Sequence, residues 1–212
     1  MLAASLGAKV LSFDLQVYCI KVVTQLLREK NPQLLPNIEI VNLGLGTPTI
    51  VSVPNNTCEG EFGQNGVPKA GSVDGAGAKV TVSIVDPKHV LQTWARQINL
   101  VKIDTEGAEA DILAHLLPLV EAGKIQHIVA ELMPSQWANR GSSLEAGLAT
   151  MKKLAAQSTR MVLLHDSAGF TFPREQISLS GVTGELFEKF NVEDLVKDRK
   201  NGGGCNVWWS FY

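Results

Sequence analysis

The sequence predicts an α/β fold: a mainly parallel sheet with helices on both faces, built as one domain. Three observations carry this. Short aliphatic and β-branched runs alternate with stretches of helical apolar spacing, the strand–helix rhythm of parallel sheets. Several runs end on a polar residue, at Asp14, Asn42 and Asp104. The chain of 212 residues, 45% hydrophobic and 19% charged, is long and apolar enough for a substantial core.

In chain order, Lys9 to Phe13 is a short buried strand ending at Asp14. A helix follows from Gln16 to Arg28, with Val17, Ile20, Val23 and Leu27 on its apolar face. Asn31-Pro32 and Pro36-Asn37 stop it. Asn37 to Asn42 is a second strand, and Thr49 to Val53 a short third, antiparallel or at an edge. Gly44-Leu45-Gly46 is followed by Pro48, so it reads as a turn. From Pro54 to Ala78 six glycines punctuate a polar stretch without periodicity. A loop of that length in a compact domain is functional or disordered.

Lys79 to Val85 is rich in β-branched residues and strand-like. Asp86-Pro87 starts a helix running to about Gln97. A strand over 99–104 and a helix ending near Gly123 come next. Ile125 to Met133 is a buried strand stopped by Pro134. Ser143 to Ser158 is a helix with Leu144, Leu148, Met151 and Leu154 on one face, and Met161 to His165 a strand. A short helix lies within Val182–Lys197, and Cys205 to Tyr212 is a terminal strand, the late strands forming an edge hairpin.

A net charge of −2 makes no electrostatic case for nucleic acid or an anionic membrane. No apolar run approaches the roughly 18 residues of a membrane span, and Met1 to Leu6 lacks the features of a signal peptide. Cys19, Cys58 and Cys205 are scattered and odd in number, so they read as free thiols in a reducing, cytoplasmic compartment. His89, His115, His127 and His165 show no paired metal spacing and read as surface or capping residues. No metal site is expected.

The most informative stretch is LVKIDTEGAEADIL, Leu100 to Leu113. It is a strand delivering Asp104 and Glu106 at its carboxyl end, then Gly107 and a helix. Ligands of parallel α/β sheets bind at that end. Residues two apart share a strand face, aligning Lys102, Asp104 and roughly Glu106. A charge inside a central strand must be paired or functional, and Glu131 in IQHIVAELM is the expected partner of Lys102. Two readings stand: a chemical site, or an ion-pair network that closes the sheet. Glu109, one turn on, reads as a first-turn acid favoured by the helix dipole.

Together VLSFD, NIEIVNLGLG, KIDTEGAE and IVAELMP resemble the FkbM-type family of S-adenosylmethionine-dependent methyltransferases, from about Val10 to about Pro134. K-I-D-x-E-G-A-E is the specific element. The resemblance implies a Rossmann-like class I methyltransferase sheet, mainly parallel with an antiparallel C-terminal strand. It implies O-methylation of a hydroxyl on a sugar or secondary metabolite, with S-adenosylmethionine as cofactor and a small-molecule or glycan acceptor as partner. Asp14 then holds the ribose hydroxyls, or caps a helix; Leu15, Asn42 and Leu43 belong to the cofactor segments. Asp104 is the general base and lies against the cofactor, Glu106 orients the acceptor, and Lys102 holds or tunes the array. The segment Cys58 to Gly77 is a candidate acceptor lid, and Trp137, Trp208 and Trp209 stack on a sugar or sit in the core.

The family's first strand and glycine loop, where glycine backbone and a helix N-terminus receive the cofactor, have no counterpart before Lys9. The expectation is therefore a chain lacking both, truncated at its N-terminus, binding the cofactor weakly and inclined to aggregate. Each missing backbone donor is worth roughly 0.5–1.5 kcal/mol. The strands at 9–14 and 99–104 should leave a gap or pair directly. The alternative is a non-catalytic fragment or binding module, and an in-frame E/D-x-G-x-N-x-G segment upstream of Met1 would discriminate.

Overall fold

A computed structural model describes residues 2–55, 79–164, 170–180 and 184–212. The candidate lid at Cys58 to Gly77 and His165 lie outside the described residues. The chain divides into two compact units, Met1–Asp86 and Pro87–Tyr212.

In the first unit a short helix α1 (Leu2–Ser5) precedes β1 (Val10–Phe13), α2 (Val17–Lys30) and β2 (Ile38–Val41), with a 3-10 turn over Pro32–Asn37. β1 and β2 pair in parallel, Val10 opposite Ile38 through Phe13 opposite Val41. Ala4, Leu27 and Leu34 form the buried core here, with Val10, Ile38 and Ile40 packed against it. Of the predicted face of α2, Leu27 is buried while Val23 is exposed. Cys205 is a free thiol as expected, whereas Cys19 is disulfide-bonded, which corrects the expectation for that residue: spacing along the chain does not report distance in space. A second sheet follows the order β3-β5-β4, from β3 (Gly44–Leu45), β4 (Thr49–Pro54) and β5 (Lys79–Val85). β4 runs antiparallel at the edge as expected. The predicted turn at Gly44 is instead the strand β3, parallel to β5.

The second unit contains α3 (Pro87–Trp94), β6 (Ile98–Ile103), α4 (Glu109–Glu121), β7 (Ile125–Leu132), α5 (Pro134–Trp137), α6 (Leu144–Gln157), β8 (Arg160–Leu164), β9 (Glu175–Ile177), β10 (Leu186–Glu188), α7 (Val192–Arg199) and β11 (Cys205–Ser210). The sheet order is β6-β7-β11-β8-β10-β9. β6 runs parallel to β7. β11 is antiparallel to both β7 and β8, which makes those two co-directional. The terminal strand therefore sits inside the sheet, and the edge hairpin is β9–β10. Among the described strand pairs three are parallel and five antiparallel. The fold is mixed α/β rather than mainly parallel, because β11 replaces a parallel contact with two antiparallel ones.

Side-chain alternation divides this sheet into two faces. Ile103, Ala130, Val207 and Leu163 lie in one cross-strand row and are buried. They share that side with α4, whose stripe Ile112, Leu113, Leu116, Leu119 and Val120 is also buried. Lys102, Val129, Trp208 and Val162 form a row on the other face. α6 begins where predicted, capped by Ser143, whose Oγ accepts the Ala146 N–H at 3.1 Å. A Cβ on Gly147 would stand 2.3 Å from Trp137 Cε3, so glycine lets α6 close on the indole. The short helix expected within Val182–Lys197 is α7, which runs on to Arg199, while Leu186 to Glu188 ahead of it pairs as β10.

β1 pairs with β2 in the two-stranded sheet of the first unit, and β6 with β7 in the six-stranded sheet of the second. β6 ends its sheet, and Leu100 on it is 55% exposed. Among the described residues no helix is long and apolar enough to cross a membrane.

Candidate functional site

The predicted residues fall into two groups, one in each unit. In the first, Asp14 and Leu15 leave β1 beside Asn42 and Leu43, which leave β2. Asp14 N–H donates to Val41 O at 3.2 Å, extending the parallel ladder. The Asn42 amide donates to Asp14 O at 2.9 Å and Leu15 O at 3.2 Å, holding the two loops together. A Cβ on Gly44 would lie 2.9 Å from Leu15 Cδ2, so a larger residue there would have to displace that side chain. Asp14 Oδ1 accepts the Gln16 N–H at 2.7 Å, a turn just ahead of α2. Among the described residues no hydrogen bond to its second oxygen accompanies this one.

In the second unit Lys102, Asp104, Glu106 and Glu131 gather at the carboxyl ends of β6 and β7. Lys102 is not a buried central-strand charge: its strand ends the sheet, and the Lys102 and Asp104 side chains are 45% and 53% exposed. The Lys102 ammonium lies 3.5 Å from Asp104, its ion-pair partner in place of the expected Glu131. It also donates to Ile103 O at 3.1 Å and Asn206 Oδ1 at 3.3 Å, reaching from β6 to β11. Asn206 stands directly opposite Glu131 in the β7–β11 register.

Glu131 and Asp104 each lie one residue beyond the Ala130–Ile103 pair of the β6–β7 register. Burial raises the Glu131 pKa above the usual carboxylate value, the Asp104 hydrogen bond and the Asp104 and Glu106 charges raise it further, and Lys102 opposes them. The two-residue spacing that aligns Lys102 with Asp104 breaks down at Glu106. Glu106 has φ +52° and Gly107 φ +109°, so the chain turns sharply before α4. The Glu106 carbonyl accepts Arg140 Nε–H at 3.4 Å.

What fixes this turn is Glu109, which its sequence position places in an ordinary first turn. Glu109 is 0% exposed. Its Oε1 accepts the Gly107 N–H at 2.6 Å and the Thr105 hydroxyl at 3.2 Å. Its Oε2 accepts the Trp137 indole N–H at 3.2 Å and the Met133 N–H at 3.4 Å. A buried charge persists only with such partners. The signal is present in the pattern: Glu109 precedes Ile112, Leu113 and Leu116 on the one buried stripe of α4.

Trp137 and Trp209 are core residues, not sugar platforms. Trp208 donates its indole N–H to His127 Nδ1 at 3.2 Å, and His127 Nε2 meets Tyr212 Oη at 3.0 Å. His127 is thus part of an aromatic cluster, in place of the expected surface or capping role. Among the described residues no group of three His, Cys, Asp or Glu is placed to hold a metal. Compared with known proteins, the chain matches no family model, no curated protein and no solved structure.

Proposed function

We propose that this chain is an S-adenosylmethionine-dependent O-methyltransferase of the FkbM type, acting on a hydroxyl of a sugar or secondary metabolite. The observation that carries the reading is the convergence of Lys102, Asp104, Glu106 and Glu131 at the carboxyl ends of two adjacent parallel strands. The antiparallel terminal strand β11 supports the fold that the reading requires.

The residues present fit one end of the cofactor. Asp14 has a carboxylate oxygen left for the ribose hydroxyls, and Asn42 keeps its loop in place. When bound, the cofactor supplies an electrophilic methyl group. Asp104, exposed and paired with Lys102 at 3.5 Å, accepts the proton of the acceptor hydroxyl as general base. Glu106, at the left-handed turn before α4, orients the acceptor.

Saturation-transfer NMR with S-adenosylmethionine tests the assignment, because it reads weak binding. Ribose signals should respond in the native chain and in Asp104→Asn and be lost in Asp14→Ala. Asp14→Asn, which keeps the Oδ1 acceptor for Gln16, separates loss of the turn from loss of the ligand contact. No response from the native chain would overturn the reading in favour of a non-catalytic protein.

A further inference from the structure

We propose that the edge of β6 is a self-docking surface. A second copy of this chain adds there antiparallel, across a two-fold axis at Leu100, and the two six-stranded sheets continue as one. The proposal stands on the sheet of the second unit and is independent of the methyltransferase reading. Among the described residues β6 pairs with β7 alone. The Ile98 N–H donates at 2.8 Å to the carbonyl of Lys124, the residue before β7. Backbone groups alternate in direction along a strand, so Ile98, Leu100 and Lys102 bond towards β7, while Asn99 and Val101 present theirs to the edge. A six-residue edge strand without proline is a ready template for another strand.

The side chains select a second copy as the occupant. Lys102 is the one charge on β6, and an edge lysine ordinarily keeps other strands away. Here its ammonium is drawn off the edge, 3.5 Å from Asp104 and bonded to Asn206 Oδ1 on β11, two strands into the sheet. Leu100, 55% exposed, is left at the edge on the face away from α4. A two-fold axis perpendicular to the sheet keeps that face common to both copies, so opposite residues must share a face. With Leu100 opposite itself, Asn99 meets Val101 and their edge-facing backbone groups bond each other. Lys102 then lies opposite Ile98, and Asp104 reaches the level of the partner's Arg96, an opposite charge. Moving the axis to Asn99 sets Lys102 level with Arg96, and moving it to Lys102 sets that residue against itself, like charges in both cases. Moving it to Val101 sets Leu100 against Lys102. Leu100 on the axis is the register that matches both the apolar side chain and the charges.

The experiment is sedimentation of the full chain over rising concentration, because one strand pair is smaller than a standard interface and its dimer is concentration-dependent. Leu100→Glu changes an exposed side chain and sets two carboxylates opposite each other. It should lose the dimer while its circular dichroism spectrum stays native. On the axis Leu100 forms a non-hydrogen-bonded pair with its copy, the Cα atoms about 4.5 Å apart, within the roughly 4.4–6.8 Å that a disulfide spans. Leu100→Cys should therefore give a disulfide-linked dimer on mild oxidation, beyond any the native chain forms. Lys102→Cys, which meets Ile98 instead, should not. A chain that stays monomeric at every concentration overturns the proposal. So does a dimer that Leu100→Glu leaves intact, or that Lys102→Cys links as readily as Leu100→Cys. A ladder of higher oligomers in place of a dimer overturns it too, since a two-fold contact closes on itself.

Discussion

The indole N–H of Trp137 donates to the buried Glu109 carboxylate at 3.2 Å, tying the segment after β7 to the start of α4. The same carboxylate holds Gly107 and Met133, so the turns that follow β6 and β7 share one anchor. Asp104 and Glu106 precede that anchor directly, and their placement depends on a residue that never reaches solvent.

Glu109→Leu should therefore destabilise the protein by about 3 kcal/mol or more, because several buried donors lose their acceptor at roughly 1–3 kcal/mol each. Glu109→Gln keeps one accepting oxygen but turns an amide N–H₂ towards other donors, and should cost less. Trp137→Phe removes one donor and keeps most of the ring. Urea midpoints of the three variants, with Glu109→Gln combined with Trp137→Phe, measure the coupling. Additive losses would show that the two residues do not share a bond.

Gly107 has φ +109°, and a Cβ there would lie 2.6 Å from Gln136 Cβ. Gly107→Ala should cost about 2–4 kcal/mol, from left-handed backbone strain and displacement of α5 together. Gly7, at φ +89° with nothing within 4 Å of an added methyl group, isolates the backbone part. Gly7→Ala should cost only about 1 kcal/mol. Equal thermal shifts for the two would contradict the clash.

His127 has a pKa lowered by burial. Trp208 N–H can only donate, so Nδ1 of His127 accepts and the neutral ring carries its proton on Nε2. The folded state then binds fewer protons than the unfolded state just below the ordinary histidine pKa of about 6.5. Stability should fall as pH drops from that value to the folded pKa and level off below it. Glu131 has the opposite sign: its raised pKa adds stability below the ordinary glutamate pKa of about 4.3, lost as pH rises through the folded value. Denaturation midpoints from acid to neutral pH should lose the histidine limb in His127→Phe and the carboxyl limb in Glu131→Gln.

Much of the local structure is legible along the chain. Ser143 and Ser158 bracket α6 as its apolar spacing predicts. Asp14, Asn42 and Asp104 all leave parallel strands at their carboxyl ends. Gly44 reads as a turn and is a strand, because nothing local distinguishes a glycine at a turn from one that admits Leu15 and Ile84. Lys102 is half-exposed because β6 ends its sheet, whereas its apolar run reads as a central strand.

The sequence by itself determined where most of the strands and helices lie, and that acids stand where parallel strands stop. Periodicity, capping and β-branching act within a few residues, so they are written in neighbouring positions. Only the tertiary structure decided that Glu109 is buried, that Asp104 takes Lys102, and that Glu131 faces Asp104 across the β6–β7 register. Those relations join residues of different elements, invert an expected exposure or choose among neighbours the sequence leaves equivalent. They follow from which strands pair and which face a helix covers, and burial then fixes which charges need partners.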